Sequence, residues 1–124
     1  MTAGDAARAI AAGRVLVGAA FLAAPALAGR GWIGEDAERP GVQAIFRALG
    51  VRDLILGALT LHVADRPGLG SRLVATCAAA DAVDFGATLA ARDTLPPTAA
   101  AGALAMAGGS ALAGAALAAA LRSR

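Results

Sequence analysis

ALGVRDLILG, residues 48–57, places an Arg52–Asp53 pair in the middle of a segment that is otherwise apolar. Charge-poor sequence continues on both sides, so the segment extends over residues 42–64. A helix of roughly 20 residues crosses a ~30 Å hydrocarbon core, and this segment is long enough to do so. The stretch therefore raises two questions: whether the chain lies in a membrane, and what its buried charges contact.

The composition of the whole chain favours a membrane protein. Hydrophobic residues make up 58% of its 124 residues and charged residues only 16%, whereas soluble domains are usually about 45–50% apolar. The length predicts a single integral membrane domain over residues 1–124. All the basic residues are arginines, but they form no run and no aromatic residues alternate with them. We therefore expect no nucleic-acid partner.

Three further segments resemble the one around Arg52–Asp53, and Gly, Pro and charged residues separate them. The four charge-poor segments are residues 9–29, 42–64, 69–91 and 98–121, with breaks at 30–41, 65–68 and 92–97. Proline disfavours helical geometry in the residue before it, so the prolines in the breaks fit helix boundaries. Short connections make successive helices antiparallel neighbours. The pattern predicts an all-α protein, an antiparallel bundle of four transmembrane helices.

The distribution of arginine predicts the orientation of this bundle. The side with both termini and the 65–68 loop carries Arg8, Arg14, Arg66, Arg72, Arg122 and Arg124, and the other side carries Arg30, Arg39 and Arg92. Basic residues accumulate on the cytoplasmic side of membrane proteins. Because the side with the termini carries six arginines and the other side three, we expect both termini in the cytoplasm. We expect a multi-pass protein of the bacterial inner (plasma) membrane, with Trp32 at the outer interface.

Two alternatives remain at this point. Arg8 and Arg14, the apolar run VLVGAAFLAA and the Ala26–Ala28 A-x-A sequence also fit a signal peptide, which predicts a mature chain starting at Gly29. The apolar stretch can instead be taken from Ala9, with the Arg14 side chain extending to the inner headgroups. A soluble four-helix bundle is the second alternative, but the last segment lacks the polar stripe that a water-facing helix needs.

Five charged residues fall inside the proposed spans: Arg47, Arg52, Asp53, Asp81 and Asp84. A charge at the bilayer centre costs about 2.5–3.5 kcal/mol on insertion scales, so these side chains face the bundle interior and need partners. Helical rise places Arg52 and Asp81 at a matched depth, about 15 Å below the outer ends of their helices.

The depths of these residues in the membrane predict that Arg52 pairs with Asp81 and Arg47 with Asp84. Depth determines the pairs only to within about one helical turn, so the pairings of Arg52 with Asp84 and of Asp53 with Arg47 remain alternatives. Asp53 points about 100° away from Arg52, towards another helix or an inward-reaching arginine. The five residues are either a buried network that fixes helix pairing or a ligand or proton site.

No other residues suggest chemistry. The sequence holds no Ser/His/Asp set and no phosphate loop, so we expect no catalytic residues and no cofactor. His62 and Cys77 lie about two turns apart in depth, which argues against a shared metal site. A single cysteine forms no internal disulfide.

The charged motif resembles that of a known group of proteins. Arg47-x-x-Gly50-x-Arg52-Asp53, followed by Asp81-x-x-Asp84, is similar to a group of small four-helix membrane proteins of actinobacteria that form a domain of unknown function. GRVLVGAAFLAAP, residues 13–25, resembles the opening of DoxX-like four-helix proteins. These resemblances imply the topology and the charged site, and they imply no activity.

We expect a non-enzymatic membrane module: an accessory or assembly subunit, or a binder of a small ligand. Its partners are then the lipid bilayer and either another membrane protein or a second copy of the chain. The alternative is a small proton-coupled transporter or carrier that uses Asp81 and Asp84. Four short helices leave little room for a translocation path, so a carrier would act as an oligomer.

Overall fold

The computed structural model describes residues 1–123, and the chain there is all-α. Five helices follow one another: α1 Ala3–Ala23, α2 Pro25–Ile33, α3 Pro40–Val63, α4 Leu69–Ala91 and α5 Pro97–Arg122. Short 3-10 turns, Gly34–Glu38 and Arg92–Thr94, precede α3 and follow α4. Arg124, one of the arginines used for the orientation, lies outside the described residues.

The first predicted helix, residues 9–29, is two helices in the structure. The helix α1 begins earlier because Thr2 and Asp5 form a capping box: the Asp5 backbone N–H donates to Thr2 Oγ1 (3.1 Å) and the Thr2 N–H donates to Asp5 Oδ2 (2.9 Å). It ends at Ala23, because the next residue, Ala24, precedes Pro25 and has a ψ of 63°. Proline excludes helical geometry from the residue before it, so α2 starts as a separate short helix.

Two antiparallel helix pairs make up the bundle. In the α1/α3 pair, a Cβ on Gly18 would lie 2.5 Å from the Leu54 backbone nitrogen, and a Cβ on Gly57 would lie 2.8 Å from the Ala11 carbonyl oxygen. Only glycine allows backbones this close, as in many tightly packed membrane helices. The α4/α5 pair packs through Gly114, whose added Cβ would lie 3.0 Å from that of Ala78.

The two pairs meet at their ends. Ala7, Ala64, Val74 and Ala118 form one small apolar cluster where α1, α4 and α5 approach each other. At the opposite end, α2 closes the bundle with an aromatic cluster in which the Phe21 and Phe46 rings lie 5.2 Å apart and the Trp32 and Phe46 rings 6.1 Å apart. The middle of the bundle, between these clusters, is left to polar residues and a cavity.

Many large apolar side chains lie on the outside of the bundle, and several polar residues are buried inside it. Its large exposed side chains include Leu16, Leu27, Ile45, Val83 and Leu112, and its buried polar residues are Asp53, Thr60, Ser71, Asp81 and Thr88. Water-soluble proteins show the opposite arrangement, which argues against a soluble bundle.

Three helices are long and apolar enough to cross a membrane by length and composition: Ala3–Ala23, Leu69–Thr94 and Pro97–Arg122. The charged helix α3 is not among them. The chain thus forms a helical bundle with the character of a membrane protein.

Candidate functional site

Helical spacing brings the small and the charged residues of α1 and α3 onto facing surfaces. The inward residues of α1 are Ala7, Ala11, Arg14, Gly18 and Phe21, and those of α3 are Phe46, Gly50, Asp53, Gly57 and Thr60. Both sets alternate steps of four and three residues, the spacing of helices that pack along a seam. Because Gly18 meets Gly50 and Ala11 meets Gly57, Arg14 and Asp53 lie opposite each other.

Five side chains in the middle of the bundle form one chain of alternating charges. Arg14 bridges two carboxylates, with Nη2 2.5 Å from Asp81 Oδ2 and Nη1 3.0 Å from Asp53 Oδ1. Arg52 bridges Asp53, at 3.1 Å, and Asp84, at 2.7 Å. The order is Asp81–Arg14–Asp53–Arg52–Asp84, and we call these five residues the ion network. It ties the α1/α3 pair to α4.

Four of the five predicted site residues belong to this network, and Arg47 does not. Arg47 is exposed on α3, so its expected pairing with Asp84 is wrong. Arg52 pairs with Asp84 instead of Asp81. The two aspartates are one turn apart on α4, which is the resolution of the depth argument that favoured Asp81.

Arg14 is the member of the network that sequence reasoning missed. Its expected place at the inner headgroups is wrong, because its side chain is only 9% exposed and contacts two carboxylates. A signal for this was present in the sequence: Arg14 occupies the same helix face as Ala11 and Gly18, where small residues indicate close packing against another helix. Asp53, expected to reach another helix or an inward-pointing arginine, meets this residue.

The hydrogen bonds of the ion network are satisfied internally, but its charges do not balance when all five groups are ionised. Within residues 1–123, no buried side-chain nitrogen or oxygen lacks a hydrogen-bond partner. Asp53 Oδ1 alone accepts from Arg14 Nη1 and from Arg52 Nε and Nη2. Two guanidiniums against three carboxylates nevertheless leave a formal charge of −1 when all are ionised. Asp81 and Asp84, at the ends of the network, each contact one guanidinium.

A half-open cavity of about 620 Å³ adjoins the network. One wall is α1, the opposite wall is α5, and Ala28, Gly31 and Trp32 of α2 close one end. Its charged lining residues are Arg14, Asp53, Asp81 and Asp84. The remaining lining is mostly apolar, with Phe21 among it. Volume, apolar walls and a few convergent polar groups are the features of small-molecule sites.

A hydrogen bond from Trp32 joins α2 to α4, the helix that carries Asp81 and Asp84. Its Nε1 donates to Thr88 Oγ1 at 3.0 Å, and the Thr88 hydroxyl donates in turn to the carbonyl oxygen of Asp84, at 2.7 Å. The ring is half-buried and lines the cavity. Its expected place was the outer interface; here the indole holds the short helix over the cavity.

Neither of the remaining reactive side chains, Cys77 and His62, is hydrogen-bonded to the ion network. Cys77 is buried, with its Sγ 3.7 Å from Thr60 Oγ1, and His62 is exposed beside Arg66. In the part of the chain that the structure describes, no three His, Cys, Asp or Glu side chains are grouped so as to hold a metal ion.

Comparison of the chain with protein-family models, with curated proteins and with solved structures gives no match. The resemblances carried by the Arg47–Asp53 motif and by residues 13–25 therefore remain predictions.

Proposed function

We propose that the protein is a multi-pass protein of the bacterial inner membrane whose four long helices all cross the bilayer, with both termini in the cytoplasm. Support for the orientation comes from the arginine bias between the two sides of the bundle, which is five against four once Arg14 is assigned to the ion network and Arg47 to the outer side. Support for four crossings comes from the packing of α3 against the apolar helix α1. Antiparallel neighbours of similar length span the same thickness, so α3 crosses the bilayer if α1 does.

The helix α3 can cross a membrane because each of its charged side chains either has an ion-pair partner or lies close enough to the end of the helix to reach the headgroups. Its 24 residues give a length of about 36 Å. Arg52 and Asp53 are paired inside the bundle. Arg47 lies about 10 Å from the start of the helix, so its side chain can extend towards the outer headgroups.

Within this topology we propose that the protein binds a small ligand. The observation that carries the proposal is the cavity of about 620 Å³ beside the ion network. It falls within the range of about 300–1,000 Å³ that is usual for ligand pockets. Binding is favoured over catalysis because the charged groups of the cavity are held in salt bridges, which leaves them as positioning groups for a ligand.

Filling the cavity tests this proposal. A Cβ added to Gly102, which lines the cavity, would meet no atom within 4 Å, and the same holds for Gly109, which lies two turns further along α5 outside the cavity. Gly102→Leu should therefore abolish binding of 1-aminoanthracene, an uncharged apolar fluorophore, to the protein in nanodiscs. Gly109→Leu should leave it unchanged. Equal binding by both variants and the wild type would contradict the proposal.

A proton-coupled carrier is the second candidate. It is favoured by the position of Asp81 and Asp84, which are one turn apart and both line the cavity. Proteoliposomes with an acidic interior distinguish the two functions. A carrier should dissipate the pH gradient when an organic cation is added outside, and a binding module should not. Purification in mild detergent adds a third outcome, because a stoichiometric protein partner would favour an accessory or assembly subunit.

A further inference from the structure

The charges around the cavity do not balance, and this imbalance selects a class of ligand. Among residues 1–123, four charged residues line the cavity, and three of them are carboxylates: Asp53, Asp81 and Asp84. The fourth is the guanidinium of Arg14. Arg52, which does not line the cavity, neutralises part of this charge through its bonds to Asp53 and Asp84. The five-residue network still carries a formal charge of −1. An unbalanced charge in apolar surroundings is unfavourable until a counter-charge joins it or a proton neutralises one carboxylate.

The cavity also offers a surface for the apolar part of a ligand. Phe21 and Trp32 both line it, with ring centroids 6.3 Å apart in an edge-to-face arrangement. Trp32 bonds to Thr88, one turn along α4 from Asp84, so the aromatic rings and the carboxylates lie at neighbouring depths. Aromatic faces attract cations as well as apolar groups.

We propose that the cavity binds an amphipathic organic cation, with its positive centre against Asp81 and Asp84 and its apolar body against Phe21 and Trp32. This inference rests on the proposed ligand-binding function and names the ligand class. The cation completes the ion network: with it, the positive and negative charges are equal. A neutral ligand leaves the −1 charge uncompensated, and an anion doubles it.

Two probe ions of the same shape and opposite charge test this inference directly. Tetraphenylphosphonium and tetraphenylborate are each measured by equilibrium dialysis with wild-type protein in phosphatidylcholine nanodiscs. Nanodiscs containing Gly102→Leu, the filled cavity, give the contribution of the lipid. We expect saturable binding of one phosphonium per chain above this reference and none of the borate. Equal binding of the two ions, or preference for the borate, would overturn the inference.

Two variants locate the charge that matters. Asp84→Asn makes the network formally neutral, so phosphonium affinity should fall at least about tenfold. Arg47→Gln is the matched control, because Arg47 is exposed on α3 and outside the cavity, and it should not alter affinity. Unchanged affinity in folded Asp84→Asn would refute the inference. If this variant does not fold, the contrast between the two ions in the wild type decides the question.

The outcomes separate this inference from the function on which it rests. Binding of 1-aminoanthracene without preference for the phosphonium leaves a ligand cavity and refutes the cation. Absence of binding by the fluorophore and by both ions refutes the cavity as a ligand site and the cation with it.

Discussion

The ion network predicts an unequal response to losing its positive and its negative members. Arg14→Gln removes two ion pairs at once and changes the formal charge of the network from −1 to −2. Asp81→Asn removes one of those pairs and changes the charge to zero. Breaking a buried pair typically costs about 3–5 kcal/mol, because the remaining charge is left without compensation. We expect Arg14→Gln to reach this range and Asp81→Asn to cost less.

The double variant should recover part of the loss. Arg14→Gln with Asp81→Asn restores the formal charge of −1, so its destabilisation should be smaller than the sum of the two single losses by about 1–3 kcal/mol. The exposed pair Arg8–Asp65 provides the control cycle. Its side chains are 43% and 68% exposed, so its coupling should stay below about 1 kcal/mol.

The native cysteine supplies the assay. Cys77 lies one turn from Asp81 on α4 and is only 8% exposed, so a thiol-reactive fluorophore labels it when the bundle opens. Heating detergent-solubilised protein with the dye gives the midpoint of unfolding, which Arg14→Gln should lower by roughly 10 °C or more. Equal coupling in the buried and the exposed cycles, or a milder effect of Arg14→Gln than of Asp81→Asn, would refute the reasoning.

Four further substitutions test the surroundings of the network by the same thermal assay, and the first two are a matched pair. Gly18→Ala should destabilise the fold because its Cβ would meet backbone atoms of α3 at 2.5–2.6 Å. Gly109→Ala has open space around it and should stabilise α5 by up to about 1 kcal/mol. A stability change of the same sign in both variants would contradict the close contact between α1 and α3. Arg47→Gln should change stability by no more than about 0.5 kcal/mol, since the side chain is exposed, and a large loss would place it in the network. Trp32→Phe keeps a ring and loses the bond to Thr88, so it should cost about 0.5–1.5 kcal/mol, and no loss would show that this bond does not hold α2.

Much of the helical framework could be predicted from the sequence because apolar length and proline position act locally. The bounds of α3, α4 and α5 lie within two residues of the predicted segments. The break at Ala24 was harder to predict, because a proline inside an apolar run either kinks a helix or ends it. The choice depends on what the following residues contact, and here α2 turns to pack Trp32 against Thr88.

The site could be predicted only in part, because its pairings depend on helix rotation and register. The positions of Arg52, Asp53, Asp81 and Asp84 along their helices were enough to predict that they share one site. The partner of each arginine depends on which glycines allow the helices to touch: contact between Gly18 and Gly50 fixes the register that places Arg14 against Asp53. Single-sequence reasoning has no access to such contacts between distant segments, and in an Ala- and Gly-rich chain many registers look alike.

We propose that the charged helix α3 crosses the membrane with its ion pairs inside the bundle. Labelling at the two ends of α3 tests it most directly, in intact cells and with a membrane-impermeant maleimide. In a Cys77→Ala background, Glu35→Cys should react from outside, and Pro67→Cys should react only after the membrane is permeabilised. Both positions are exposed, so accessibility within the protein does not bias the result. Reaction of both cysteines from the same side would show that α3 does not cross and would contradict the account.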